Sequence, residues 1–409
     1  MTDIKNWEIK KLGQVYDVRD GTHDSPKYVK EGYALITSKN LKNDNLNYDN
    51  VNYITEQDYI NINKRSKVDV GDVLFAMIGT IGNPIVIKDE PDFAIKNVAL
   101  FKVPNNQDSN FLKYYLDSGL VIEKMTKDAK GATQKFVGLG YLRNFEIPLP
   151  PLPEQQRIVA ILEEAFAAIA KAKANTELNL KNAKELFESY LQGVFENKGN
   201  GWVNATIGET CDLQTGGTPS TSKKEFYEDG TIKWLVSGDI NQKIINDCEG
   251  RITELGLNSS NTKYLPLNSV LIALNGQGKT RGTVAMLRTK ATCNQSLVSI
   301  FPKDEKSLLP ELVFSNLEGR YDEIRKMTGD SGNDRRGLNM PLIRSIKFSY
   351  PKKINEQREI IKKLDALRSE TKKLEAIYQQ KLNNLEELKK SILQKAFAGE
   401  LKTEKVIAV

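Results

Sequence analysis

A single histidine, His23, occurs in 409 residues. One imidazole excludes histidine-based metal clusters and any His-dependent triad repeated in both halves. In the turn Gly21-Thr22-His23-Asp24-Ser25-Pro26 it reads first as a structural residue. Cysteine is scarce too: Cys211, Cys248 and Cys293 lie in the second half at no metal-ligand spacing, which is the usage of a reducing compartment. No apolar run approaches membrane-spanning length, and Met1-Thr2-Asp3-Ile4-Lys5 opens no signal-peptide core, so a cytoplasmic protein without membrane contact is expected. Excess charge of one sign is small. A net charge of +6 with 27% charged residues permits a nucleic-acid partner without demanding one. Catalytic signatures are missing as well: there is neither a nuclease-like carboxylate and lysine cluster nor an Asn-Pro-Pro-Tyr methyltransferase tetrapeptide. Gly278-Lys279-Thr280 resembles the end of a P-loop, but the glycine required five positions earlier is Ala273, and Arg281 to Met286 reads as a returning strand. A chain that catalyses nothing alone and carries no cofactor or metal is expected.

What is present is a repeat. Pro153-Glu154-Gln155-Gln156-Arg157-Ile158-Val159 opens a proline-free run to Phe195, and Asn355-Glu356-Gln357-Arg358-Glu359-Ile360-Ile361 opens another to Phe397, aligned without a gap at an offset of 202. In the second copy, Ile360, Leu364, Leu367, Leu374, Tyr378, Leu385, Leu388 and Ile392 recur at steps of four and three, with Thr371 and Lys381 as polar breaks. This is a coiled-coil seam. Its counterpart in the first copy, Ile158, Leu162, Ala165, Ile169, Ala172, Thr176, Asn179, Ala183, Leu186 and Tyr190, is built of smaller residues. Two helices of about 60 Å at 1.5 Å per residue are expected, each covering the other's stripe in antiparallel packing. Setting Ile158 against Ile392 places Ala165 opposite Leu385, Ala183 opposite Leu367 and Tyr190 opposite Ile360, so that small meets large. The expected packing set is Ile158, Leu162, Ala165, Ala183, Leu186, Ile360, Leu364, Leu367, Leu385 and Leu388.

The segments before each helix also match. Both are rich in short alternating runs broken by glycine and asparagine, which predicts mostly strands and turns with some helix, including one over Phe111 to Lys127. Val73 to Ile78 ends in the tip Gly79-Thr80-Ile81-Gly82-Asn83-Pro84, and Val270 to Leu274 ends in Asn275-Gly276-Gln277-Gly278-Lys279-Thr280-Arg281-Gly282. Framework positions agree while the polar tips differ, the pattern of one scaffold used for two targets. Lys130, Thr133, Gln134, Lys135 and Arg143 are matched by Lys279, Arg281, Arg335, Arg336 and Arg344, sets that combine cations for phosphates with amides and hydroxyls for base edges. Lys39, Asn40 and Thr80 in the first half, and Ser237, Asp239, Asn275, Gln277 and Asn333 in the second, complete the candidate DNA contacts.

The chain resembles the specificity subunits of type I restriction-modification systems. The most specific marks are Leu149-Pro150-Pro151-Leu152-Pro153-Glu154-Gln155-Gln156-Arg157-Ile158, the diverged Tyr350-Pro351-Lys352-Lys353-Ile354-Asn355-Glu356-Gln357-Arg358-Glu359-Ile360, and Leu393 to Leu401. Asn355 departs from the pattern, standing where the first copy has Pro153. The resemblance implies an α+β chain with target-recognition domains at 1–152 and 198–353, a long helix at 153–197, and a second with a C-terminal segment at 354–409. It further implies that each domain reads half of a bipartite, asymmetric site in double-stranded DNA and that helix length sets the gap. The helices would dock two modification (methyltransferase) subunits, joined by restriction subunits in the full nuclease. Two competing expectations are a self-sufficient DNA methyltransferase and a coiled-coil assembly scaffold without DNA.

Overall fold

The computed structural model describes residues 7–42, 44–132, 134–276, 280–328 and 337–401. Two compact units emerge: residues up to 177 together with those from 380 onward, and residues 178–379. The boundary falls inside both long helices, so each unit owns one globular body and a stretch of each helix.

In the first unit, strands Asp17–Asp20, Val98–Lys102, Val73–Ala76 and Gly82–Val86 form an antiparallel sheet in that spatial order. A second sheet holds Asn52–Ile54, Tyr33–Ile36 and Phe93–Ile95, the last pair parallel. The second unit repeats both. Cys211–Thr215, Leu297–Pro302, Val270–Ala273 and Val284–Leu287 make the main sheet, extended by the short parallel strand Ile244–Ile245, and Arg251–Ile252, Ile232–Leu235 and Thr292–Cys293 make the smaller one. Each body is closed by a terminal pair, Glu8–Lys11 with Glu146–Leu149 and Trp202–Thr206 with Lys347–Pro351.

The continuous apolar run Val73-Leu74-Phe75-Ala76 is explained by cover on both faces. Val73 and Phe75 enter a core with the helical residues Phe111, Leu112 and Leu116, whereas Leu74 and Ala76 enter another with Ile36, Leu41 and Ile95. Val270 and Ile272, against Leu271 and Ala273, divide the same way in the second unit. Alternation along a strand thus serves two cores at once. The helix expected over Phe111 to Lys127 is two helices, Ser109–Leu116 and Gly119–Asp128. Ser118 breaks it, its hydroxyl donating to the Tyr115 carbonyl at 2.7 Å in place of helical continuation.

The long helices span Leu152–Glu196 and Ile354–Phe397. Asn355 in place of Pro153 does not move the start, since Leu152 and Ile354 are repeat equivalents. Gly399, at φ 67°, closes the second helix in the left-handed conformation. Within each unit the helix stretches run antiparallel. Ile158 and Leu162 share the first unit's core with Leu393, Ala396 and Phe397, and Lys173 bonds Glu386 at 2.7 Å. In the second unit Leu191 and Phe195 pack with Leu364 and Ile360.

The expected seam forms only in part. Lys389 lies over the Phe166 ring at 5.2 Å and Arg368 over the Phe187 ring at 5.3 Å, so long cationic side chains from one stretch cover aromatic rings of the other. These two pairs are repeat equivalents of one another. Ile158, Leu162, Ala183 and Leu364 are buried, and Ala165, Ile360, Leu367 and Leu385 are half-buried. Leu186 and Leu388, expected in the seam, are 61% and 47% exposed. The helix ends are docked into globular cores, and the heptad seam is incomplete at Leu186 and Leu388.

Glutamine, not leucine, fixes each helix start. Gln155 donates to the Pro150 carbonyl at 2.8 Å and to Gln107 Oε1 at 2.8 Å, and accepts from the Asp108 amide at 3.0 Å. Gln357 donates to Pro351 and Ser307 carbonyls, each at 2.8 Å, and accepts from the Leu309 amide at 2.9 Å. Both side chains are fully buried, so each amide satisfies backbone groups that would otherwise be orphaned.

Lys102 ties the first unit's sheet to the turn before Val73, bonding Asp69 and, at 2.5 Å, the buried Asp72. Burial pushes the Asp72 carboxyl up, and Lys102 opposes that; the Lys102 hydrogen bond holds Asp69 down. Lys102→Met is expected to cost about 3 kcal/mol at pH 7, by stranding Asp72. The deficit shrinks as pH falls toward the raised Asp72 value, because a protonated Asp72 no longer needs its partner and the depressed Asp69 loses its advantage over the unfolded chain. Urea unfolding at pH 7 and pH 5 measures the difference.

Candidate nucleic-acid interface

Strand register gathers the polar tips of each unit at one end of its main sheet. In the first unit Asp20 pairs with Ala99, Ala76 with Val98, and Ala76 with Gly82, so the turns following Asp20 and Ala76 and the one preceding Val98 project together. Bridges from Phe136 to Ile78 and to Lys130 bring the loop 130–136 to the same end, and the Gly79 amide bonds the Lys135 carbonyl at 2.9 Å. The Ser38 hydroxyl donates to the Asn97 carbonyl at 3.2 Å and adds the short helix Ser38–Asn40. The second unit repeats the arrangement: Thr215 pairs with Val298 and Ala273 with Leu297, while the Leu338 amide bonds the Leu274 carbonyl at 2.9 Å.

Of the sequence-derived contacts, Lys39, Thr80, Lys130, Gln134 and Lys135 are exposed and come together at this end in the first unit, as the half-buried Ser237 and the exposed Asn275 do in the second. Three exposed cations beside hydroxyl and amide groups suit phosphates flanking base edges. Thr133, Gln277, Lys279, Asn333, Arg335 and Arg336 lie outside the described residues.

Other candidates are used within the fold. Asn40 accepts from the Thr37 amide at 2.9 Å and donates to the Asn47 carbonyl at 2.9 Å, and Asp239 accepts from the Val236 amide at 2.8 Å. Both side chains close their own turns. Arg143 donates twice to the Val18 carbonyl, at 3.0 and 2.7 Å, bracing the sheet away from its polar end. Arg344 stands at the same place in the repeat. A side-chain carbon on Gly13 would come within 3.0 Å of Arg143 Cβ, and one on Gly208 equally close to Arg344 Cβ, so both arginines back onto a glycine of the body's opening helix. Arg281 is only 7% exposed and belongs to the body's interior. Position in a glycine-rich tip did not distinguish it from a surface cation.

His23, read first as a structural residue, also sits at this end, together with residues that the sequence did not single out as contacts. His23 Nδ1 lies 2.8 Å from Asn97 Oδ1, and Thr218 donates to Gln295 Oε1 at 2.6 Å. A signal existed in the turns after Asp20 and Thr215, Gly-Thr-His and Gly-Gly-Thr. It was hidden because the offset between halves there is no longer the 202 of the helices.

A duplicated α+β body, each copy presenting a polar turn-built end and anchored to its own stretch of long helix, defines a protein that reads two targets with one scaffold. The model of the type I restriction modification DNA specificity domain matches residues 4–180 and 199–387, and the chain belongs to that family. Its role is DNA recognition in a type I restriction-modification system. The chain is 28% identical over 283 residues to the type I restriction enzyme EcoR124I/EcoR124II specificity subunit of Escherichia coli, spanning 67% of this chain and 68% of that protein. It is 23% identical to the MjaVIII specificity subunit of Methanocaldococcus jannaschii over 98% of this chain and 94% of the relative. In fold it matches a solved chain from work on complex assembly and conformational transition of the type I R-M system, with TM-score 0.76, 21% identity, and 97% and 98% coverage. The HsdS subunit from Thermoanaerobacter tengcongensis matches with TM-score 0.60, 20% identity and 97% coverage of both chains.

Proposed function

We propose that this chain is the non-catalytic DNA-reading subunit of a type I restriction-modification enzyme. Each body reads one half of a bipartite, asymmetric site in double-stranded DNA, the helices dock two modification subunits, and restriction subunits complete the nuclease. The complex works in the cytoplasm, and this chain brings no cofactor of its own. The observation that carries the reading is the duplicated sheet end, with one framework and two different sets of polar side chains. Different side chains on equal scaffolds favour different half-sites, hence an asymmetric target. Burial pushes the Cys211 thiol up to about 11 and the Cys293 thiol to about 12, which argues against either as a nucleophile.

Two modification subunits are supported by the apolar residues that the helices leave uncovered. Leu186 and Leu388 are equivalent positions of the repeat, so whatever covers one suits the other. Leu186→Glu and Leu388→Glu together are expected to cut co-purification of a modification subunit by about tenfold or more, with the circular dichroism of the chain unchanged.

The deciding experiment maps methylated bases in DNA from cells that produce the chain with a modification subunit, against cells lacking the chain. Methylation confined to a two-part site is expected. Methylation unchanged by removing the chain rejects the reading, and methyl transfer by the isolated chain would favour a self-sufficient methyltransferase. Lengthening both helices by one heptad is expected to move methylation to sites with a longer gap.

A further inference from the structure

We propose that one amide in each body, Asn97 in the first and Gln295 in the second, contacts a base edge, and that His23 and Thr218 position it. This rests on the DNA-reading function above and names where each half-site is read. The two places are the same point of the scaffold. Thr22 and Gly217 donate backbone bonds to the Ile95 and Cys293 carbonyls, each at 3.0 Å. The preceding Gly21 and Gly216 are irreplaceable there, since a Cβ on either would collide with those same carbonyls. One residue after these anchored amides stand His23 and Thr218, both exposed.

Thr218 donates to the Gln295 carbonyl oxygen at 2.6 Å, and His23, with a proton on Nδ1, donates to that of Asn97 at 2.8 Å. The Asn97 Nδ2 and Gln295 Nε2 groups have no hydrogen-bond partner among the described residues, so both amides turn N–H donors outward from a fixed oxygen. That is the arrangement a base edge requires: a donor held in one orientation, next to an acceptor that retains a second lone pair. Asn97 is further fixed by a left-handed backbone, φ 55°, which asparagine tolerates.

Surroundings differ as a reader of unlike half-sites requires. In the first unit Arg65 bonds Asp20 at 3.0 Å and the Gly21 carbonyl at 3.1 Å, and Asp20 lies 2.9 Å from His23 Nε2. In the second unit Thr218 and Gln295 border a hollow of about 710 Å³ whose lining, Ser260 and Asn261 included, has no charged residue. A hollow without cations does not favour phosphate, but its hydroxyls and amides match the donors and acceptors of base edges.

The test uses the full chain with a modification subunit and maps methylated sites for Gln295→Ala, Thr218→Val, Asn97→Asp and His23→Ala. Aspartate keeps the left-handed backbone while replacing the N–H donors by an oxygen. Expected is a loss of preference by about tenfold to a hundredfold at one base pair of one half-site, the Gln295 and Thr218 variants affecting one half and the Asn97 and His23 variants the other. The gap and the untouched half stay as in the wild type. If the wild-type chain directs methylation to a two-part site while Gln295→Ala and Asn97→Asp retain every base preference, the inference is overturned and the DNA-reading function stands. If the wild type directs no two-part methylation, the function itself fails.

Discussion

Replacing Gln155 by leucine is expected to lower the unfolding free energy of the first unit by about 3 kcal/mol, or about 10 °C in Tm. Leucine fills nearly the same volume but strands the Asp108 amide and the Pro150 carbonyl, both of which bond the buried glutamine. Each stranded backbone group costs about 1–3 kcal/mol where water does not replace the lost partner. Gln156→Leu next to it is the control. Gln156 is exposed, so its substitution is expected to change stability by less than about 0.5 kcal/mol. Gln357→Leu should reproduce the loss in the second unit through the Leu309 amide and the Pro351 carbonyl. Thermal unfolding of the full chain, with amide exchange at Asp108 and Leu309, tells which unit opens. Equal effects of Gln155 and Gln156 would refute the assignment.

Exchange of residues 1–150 for the matching body of another family member is expected to replace one half-site entirely and to leave the other half intact. Methylation of the original site should fall by about a thousandfold or more, the usual margin between specific and non-specific recognition. The exchange is structurally permitted where the donor body preserves the contacts that its core makes with the helix ends. The donor body must offer a carbonyl and an amide to Gln155, and an apolar patch like Phe111 and Tyr115 to meet Phe397, whose ring lies 5.4 and 5.3 Å from theirs. The polar sheet end lies elsewhere in the body and travels with it. Methylome mapping of the hybrid complex checks both halves in one measurement. A hybrid that alters both half-sites, or neither, contradicts independent reading by each body.

Much of this architecture can be read from residues alone, and the reasons are physical. The 202-residue offset, the helix starts and the doubly covered strands Val73–Ala76 and Val270–Ala273 are written in periodicity, because burial of one face or two imposes a pattern on every position. The full extent of the helix seam was not legible. Apolar spacing shows which face of a helix is sticky but not what covers it, and the expected seam therefore included Leu186 and Leu388, which solvent reaches. Candidate contacts are ambiguous where one residue type has two uses. An asparagine in a turn reads bases or closes the turn, and Asn40 does the latter while Asn97 keeps its N–H groups outward. Arginine likewise neutralises phosphate or braces a carbonyl, as Arg143 does at Val18. Only the neighbours' positions separate such pairs, and those come from parts of the chain far away in sequence.

Leu393, Ala396 and Phe397 are synthesised after every residue of the second unit, yet they complete the core built around Phe111 and Leu162. On the ribosome the earlier body must therefore wait, with an apolar patch open, until the later body has been made. A message cut short before those codons yields a first body that lacks Leu393, Ala396 and Phe397 from its core, with the apolar face they cover left open.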